Sequence, residues 1–421
     1  MRSRRSDKCL EDRRELRDKT AVTIDTREEL IDALVEASEV EHGVLLQYLF
    51  AAYSLKKRAD EGLSPAQQER VRRWAGALLA VARQEMAHLG CVCNLMSAIG
   101  GAPRLGRPNF PQPAHRYYPF DFRLRPYGDE ALYQFVCFEL PEGEPPPAPP
   151  GLSSAAAAGV VPDPLTYLFL GELYAKIRHG FEVIPERQLF IGPRFAQDTD
   201  DWSNRLSLRL VTDRRTALAA IDAIVLEGEG SPGSRTPSHY ATFLALRSAL
   251  TAEPEGFAPA RPVGWDPRTR SHPDAPDAGT LIVHPRTVRV AELANSVYVS
   301  VLMMLLQYYS FGGEIPAQRD ALRMALRNLM SGVFRPLAEM LTELPVARDG
   351  SGGTAGAPFE IYTEVQIATQ PANRWPILLE RLDAAAAASS ELGAELPRLA
   401  FLGQNLRWLG RNLRGVAGGT A

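Results

Sequence analysis

A carboxylate and an imidazole, Glu85 and His88, stand three residues apart inside "AVARQEMAHLGCVCNLMSAIG", whose other residues repeat at helical spacing. On an α-helix, positions i and i+3 lie side by side. Leu78, Val81, Val92 and Met96 share the face of Glu85 by steps of four and seven. An ionisable pair therefore points into a core, and the fold must supply something to compensate it. Alone, Glu-x-x-His also describes a helix salt bridge or a satisfied core histidine. What surrounds it decides.

Helix signals set the frame. Thr26 with Glu29 forms a capping-box pattern that opens an apolar-periodic segment running to about Ala59. Ser64 and Pro65, with Gln67, open a second that stops at Gly100-Gly101. Two long helices joined by a short turn predict an antiparallel pair. Residues 102–140 are rich in aromatics and prolines, and "PEGEPPPAPPGLSSAAAAGVV" reads as a flexible crossover loop. Asp163-Pro164 starts a third helix, "PLTYLFLGELYAKIRHGFEVI". Thr212 or Asp213 starts a fourth, "DRRTALAAIDAIVLEGEG", which breaks at "GSPGSRTPS" and resumes at "HYATFLALRSAL". Further apolar-periodic stretches fall near 286–311, 317–344, 374–392 and 395–413. No strand alternation competes, so the fold class is all-α: a four-helix bundle over 1–250, a Pro-rich linker loop over 251–285, and a helical region over 286–421 packed on the bundle.

More carboxylates lie on the inward faces. Glu41 aligns with Leu34, Ala37, Leu45 and Tyr48, whereas Glu39 points about 200° away. Glu172, within "YLFLGELYA", shares a face with Leu165, Leu168 and Phe169. In "VLEGEG", Glu229 follows the face of Leu218, Ile221 and Val225, while Glu227 points about 200° from it. His239 opens the resumed helix on the face of Phe243 and Leu246, and His179, seven residues past Glu172, is the reserve imidazole.

Four buried carboxylates without positive partners are strongly disfavoured, and Lys and Arg are scarce on these faces. A pair of divalent metals balances them. The expected ligands are Glu41, Glu85, His88, Glu172, Glu229 and His239, close to the di-iron bundle pattern of one Glu from each of two helices plus Glu-x-x-His from the other two. The last element departs from that pattern, since Glu229 and His239 are ten apart. Oxygen-rich ligation favours two iron ions, or manganese, over zinc.

Composition narrows the partners. A net charge of −3 with 23% charged residues carries no bias toward nucleic acid or membrane. The apolar run around Met303 is shorter than a bilayer span and predicts a buried core helix. The first twenty residues lack a secretory apolar run, which predicts a cytoplasmic chain. Four cysteines are too few for a disulfide framework, and Cys91 and Cys93 read as small buried hydrophobes.

The stretches "EVEHGVLLQYLFAAYSLK", "RQEMAHLGCVCNLMSAIGGAPRL", "GELYAKI" and "GEGSPGS…SHYATF" resemble the ferritin-like family named for iminophenyl-pyruvate dimer synthases of violacein- and rebeccamycin-type pathways. The resemblance implies a ferritin-like bundle with those six ligands, and an O2-dependent di-iron oxidoreductase that couples amino-acid-derived imines. The expected partner is a small-molecule substrate, and the reading allows a homo-oligomer or a partner enzyme of the same pathway. "NFPQPAHRYYPFDF" is a candidate lid. Two other readings, an iron-storage protein and a non-catalytic metal-binding scaffold, stand beside it. The second helical half argues against storage, which needs little beyond four helices.

Overall fold

The computed structural model describes residues 23–112, 121–141, 144, 147, 150, 170–199, 208–230, 237–271, 278–310 and 313–418. Most of the expected crossover loop over 141–161, the helix start at Asp163-Pro164, most of the candidate lid and the first twenty residues lie outside them. Among the described residues the regular elements are helical, with isolated β-bridges only. The chain is all-α, as its periodicity requires.

Helix α1 (Arg27–Ser54) begins at the expected capping box: Glu29 N–H donates to Thr26 Oγ1 at 3.3 Å, and Thr26 N–H donates to Glu29 Oε2 at 2.9 Å. Helix α2 (Pro65–Ala98) begins the same way with Ser64 and Gln67. Gly62, at φ 82°, takes the left-handed turn between them at little steric cost. α1 and α2 form the most extensive helix pair of the first half. Helix α3 (Asp129–Phe138), α4 (Leu170–Val183), α5 (Arg214–Gly228) and α6 (His239–Thr251) close round them: α4 lies on α1 and α5, α5 on α2, and α6 on α3.

The second half comprises α7 (Pro285–Tyr309), α8 (Pro316–Asn328), α9 (Arg335–Leu341), α10 (Pro371–Leu392) and α11 (Pro397–Ala417). α7 is long and apolar enough to cross a membrane, but most of it is buried inside the fold, where a core helix belongs. The apolar stretch over 317–344 is not one continuous α-helix. A π-helical turn, Leu329–Phe334, separates α8 from α9. Pro336 explains it: the ring donates no N–H and clashes with the carbonyl four residues back, that of Gly332. Asn405 Nδ2 donates to that carbonyl at 3.2 Å.

The described part of the Pro-rich segment after α6 is pinned to the first half. Arg261 N–H donates to Ser54 O at 2.9 Å, the Arg261 side chain pairs with Glu61, and buried Asp266 accepts from Leu124 N–H at 2.7 Å. One contiguous apolar cluster runs from Ile24 to Leu413, so the two halves share a core.

Candidate metal centre

Glu85 and His88 are both 1% exposed, on the face of α2 that their spacing predicts. Glu85 bridges two imidazoles. Its Oε2 is 3.0 Å from His88 Nδ1 and its Oε1 is 2.8 Å from His239 Nδ1. His239 is the first residue of α6, where the Ser238 cap fixes the chain direction and sends the ring inward, 1% exposed. The two rings are 5.4 Å apart. From α1, fully buried Glu41 brings Oε2 to 3.5 Å from His88 Nδ1. Glu85, His88 and His239 each offer a ligand atom, all within 4.8 Å of one another.

One expected residue is placed elsewhere. Glu172, in the first turn of α4, is exposed, because the buried face of that helix is Leu173, Tyr174, Ile177, Gly180 and Phe181. The inward orientation inferred for Glu172 is therefore corrected. α4 sends Tyr174 inward instead, and its phenol donates to Glu41 Oε1. The reserve imidazole, His179, has a side chain 45% exposed and lies 3.9 Å from Asp25, away from the cluster. On α5 the phase also differs. Buried residues are Ala217, Ala220, Ile221, Ile224 and Gly228, so Glu227, three past Ile224, reaches the site, with Oε2 3.3 Å from His88 Nε2. Glu229, expected to be the inward one, caps the helix and borders a small cavity beside His88, Glu139 and Tyr174.

Glu139 escaped the sequence reading. It caps the end of α3, is 2% exposed, and lies 3.6 Å from His239 Nδ1, with Tyr48 Oη donating to it at 2.6 Å. The signal was available: a lone glutamate ending the apolar run "ALYQFVCFEL" is the same pattern that drew attention to Glu172.

The electrostatics are those of compressed charge. Burial, with Glu85 adding to it against the pull of His88, pushes the Glu41 carboxyl up to about 7. Burial works against charge on His239, but Glu85 and Glu139 outweigh it and push the imidazole up to about 10. For Glu85, burial is outweighed by His239 and His88, which hold its carboxyl well below the usual range. Within this cluster Glu41 Oε2, Glu85 Oε1 and both nitrogens of His239 make no hydrogen bond of acceptable geometry. Buried polar atoms normally do. Buried carboxylate oxygens and imidazole nitrogens that converge without hydrogen bonds aligned between them suit a cation, and the donor set of carboxylates with two imidazoles fits one. The protein thus holds a buried Glu/His/His cluster able to bind metal.

Comparison with known proteins agrees with this architecture. The chain is 29% identical over 393 residues to dichlorochromopyrrolate synthase of Lentzea aerocolonigenes, covering 82% of this chain and 37% of that protein. It is also 29% identical over 367 residues to the 2-imino-3-(indol-3-yl)propanoate dimerase of Chromobacterium violaceum, covering 80% and 34%. The chain thus spans roughly a third of the length of these relatives. A ferritin-like protein from Caulobacter vibrioides, 19% identical, superposes with a TM-score of 0.46 over 73% of this chain and 96% of that one. A model of the ferritin-like family matches residues 34–248, about half of the sequence and the stretch that contributes every residue of the carboxylate–imidazole cluster; the chain belongs to the ferritin-like family.

Proposed function

We propose that this cluster holds two iron ions, or manganese, and that the protein is an O2-dependent oxidase of a small amino-acid-derived substrate such as an aryl imino acid. The observation that carries the reading is the convergence of Glu41, Glu85, Glu139 and Glu227 on His88 and His239, with buried oxygens and nitrogens lacking hydrogen-bond geometry. Four carboxylates balance two divalent ions, and oxygen-rich ligation suits iron or manganese better than zinc. When bound in the reduced state, such a pair supplies O2 activation by electron transfer.

The chain's own residues do the positioning. Glu85 brings Oε2 to His88 Nδ1 and Oε1 to His239 Nδ1, so one carboxylate sets the two rings side by side and would itself be a ligand. Tyr174 holds a proton at Glu41 Oε1, and Tyr48 holds one at Glu139 Oε1. Tyr48, Phe135 and Phe243 pack edge-on or tilted beside Glu139 and exclude water from that side. The two relatives, a dichlorochromopyrrolate synthase and a dimerase of an indolyl imino acid, support an imine substrate and its coupling.

Repeated ferrous additions test the reading against iron storage. Anaerobic protein is loaded with ferrous iron, exposed to air, and loaded again. An enzyme stops after about two equivalents per chain, the complement of a two-metal site. Hundreds of equivalents oxidised and retained would establish a storage protein instead.

A further inference from the structure

A second cavity lies on the other flank of the α1–α2 hairpin. Its volume is about 550 Å³, within the range of small-molecule sites. On α1 it is lined by His42, Leu46 and Leu49, roughly 80–140° round the helix from Glu41. On α2 it is lined by Leu79, Met86 and Gly90, roughly 100–140° round from Glu85. None of the six cluster residues lines it. The helix pair therefore serves two sites, one on each side.

The far wall comes from the second half. Tyr298 and Leu302 project from α7, and Met330, Ser331 and Phe334 from the π-helical turn. Such turns recur at functional sites because the extra residue re-aims side chains. Here the turn follows from Pro336, and it delivers Phe334 and Met330 to the cavity.

Among the described residues that line the cavity the charged ones are Arg83, Arg327 and Arg335, all exposed at its rim, and Arg335 pairs with Glu339 at 2.8 Å. Behind the aromatic wall stands buried Arg107. Its guanidinium donates to the carbonyls of Pro108 and Phe359 and lies over the Phe110 ring at 4.5 Å and the Tyr298 ring at 5.6 Å. Tyr298 Oη in turn meets His42 Nε2 at 2.7 Å, which fixes both side chains on the cavity surface. A buried cation answered by carbonyls and π-faces leaves positive potential in the apolar interior, where charges act at longer range than in water.

We propose that this cavity is a binding site for a small amphipathic acid, one carboxylate on an apolar body, with the body against Leu46, Leu302 and Phe334 and the carboxylate at Arg83. Planar guanidinium forks match carboxylates bidentately. The inference stands independently of the metal reading, because the two sites share helices but no lining residue.

Calorimetric titration of the full-length protein with decanoate, 2-naphthoate, 1-decanol and decylamine tests it. At least one acid should bind with 1:1 stoichiometry, about tenfold tighter than the alcohol and more tightly still than the amine. The comparison of decanoate with 2-naphthoate tells an aliphatic body from an aromatic one. Leu302→Trp fills the cavity. Gly76→Trp covers its mouth from an exposed position where an added Cβ meets nothing within 4 Å, and it does not require the core to accept a larger side chain as Leu302→Trp does. Both should abolish binding, and Arg83→Gln should reduce the acid to the affinity of the alcohol. Failure of both acids to bind, equal affinity for decylamine, or undiminished binding in Gly76→Trp would overturn the proposal. Glu85→Gln should bind the acid as the unmodified protein does, and loss there in a folded variant would refute the independence of the two sites.

Discussion

Glu85 is the residue whose removal says most about the metal centre, because one carboxylate meets both imidazoles at 3.0 and 2.8 Å. Glu85→Gln keeps the volume and removes the charge. In the metal-free protein it breaks a buried ion pair on one side only, which costs about 3–5 kcal/mol by analogy with other buried pairs. The diagnostic quantity is the metal-dependent gain. A ligand present at about 1,000 times its Kd stabilises the folded state by about 4 kcal/mol. The unfolding entropy of about 2.1 cal/mol/K per residue gives about 0.9 kcal/mol/K for 421 residues, so the gain is about 5 °C in Tm if the chain unfolds as one unit. The shared apolar core supports that condition.

The assay is calorimetric melting of chelator-treated protein with and without anaerobic ferrous or manganous ion, alongside metal analysis. Unmodified protein should gain about 5 °C and bind about two ions per chain. Glu85→Gln should start lower and gain nothing measurable. A gain of equal size in Glu85→Gln, or none in the unmodified protein at saturating metal, refutes the reasoning, since either result separates stability from the ions that Glu85 is said to hold.

The remaining expectations concern single residues. Glu227→Gln should lower metal content and Glu172→Gln should leave it unchanged, as read by elemental analysis; the reverse order would reject the placement of Glu227 beside His88. Tyr174→Phe, which removes the donor to Glu41, should weaken metal binding while keeping the fold, checked by titration and circular dichroism. Cys91 and Cys93, whose burial pushes both thiols up to about 12, should resist iodoacetamide at pH 8 in native protein and react after denaturation, followed by mass spectrometry. Burial disfavours the Glu61 carboxylate, but Arg261 and two backbone N–H groups outweigh it and depress the carboxyl to about 2. A depressed carboxyl stabilises above its unfolded value and loses that contribution as pH falls through the folded one. Glu61→Gln should therefore cost about 2 kcal/mol near neutrality, a difference that shrinks below pH ~4.5 and is nearly gone by pH ~2 in thermal melts.

Periodicity exposed the helices because burying an apolar stripe is what makes a helix in a protein stable, and Thr26 and Ser64 advertised where two of them begin. It exposed Glu41, Glu85, His88 and His239 for the same reason, since each sits among large apolar neighbours that fix the inward direction. It misplaced the face of α5 because the large residues Leu218 and Val225 were taken to mark the core. The residues that do so are Ala217, Ala220 and Gly228, with Ile221 and Ile224. Where helices must approach closely enough for carboxylates to converge, small residues face inward and larger ones flank them. Gly228 shows this directly: a Cβ there would stand 2.9 Å from Glu139 Oε2, so the glycine makes room for the carboxylate that the sequence reading overlooked. Glu139 was hidden for a further reason. It belongs to a ten-residue helix set in a proline-rich stretch, and its position depends on α3 packing against α6, a contact between segments far apart in the chain that no local spacing encodes. The candidate site is thus legible along individual helices, and it is illegible where its geometry arises from two helices meeting, which is where the fourth carboxylate and the cavity at the π-helical turn both lie.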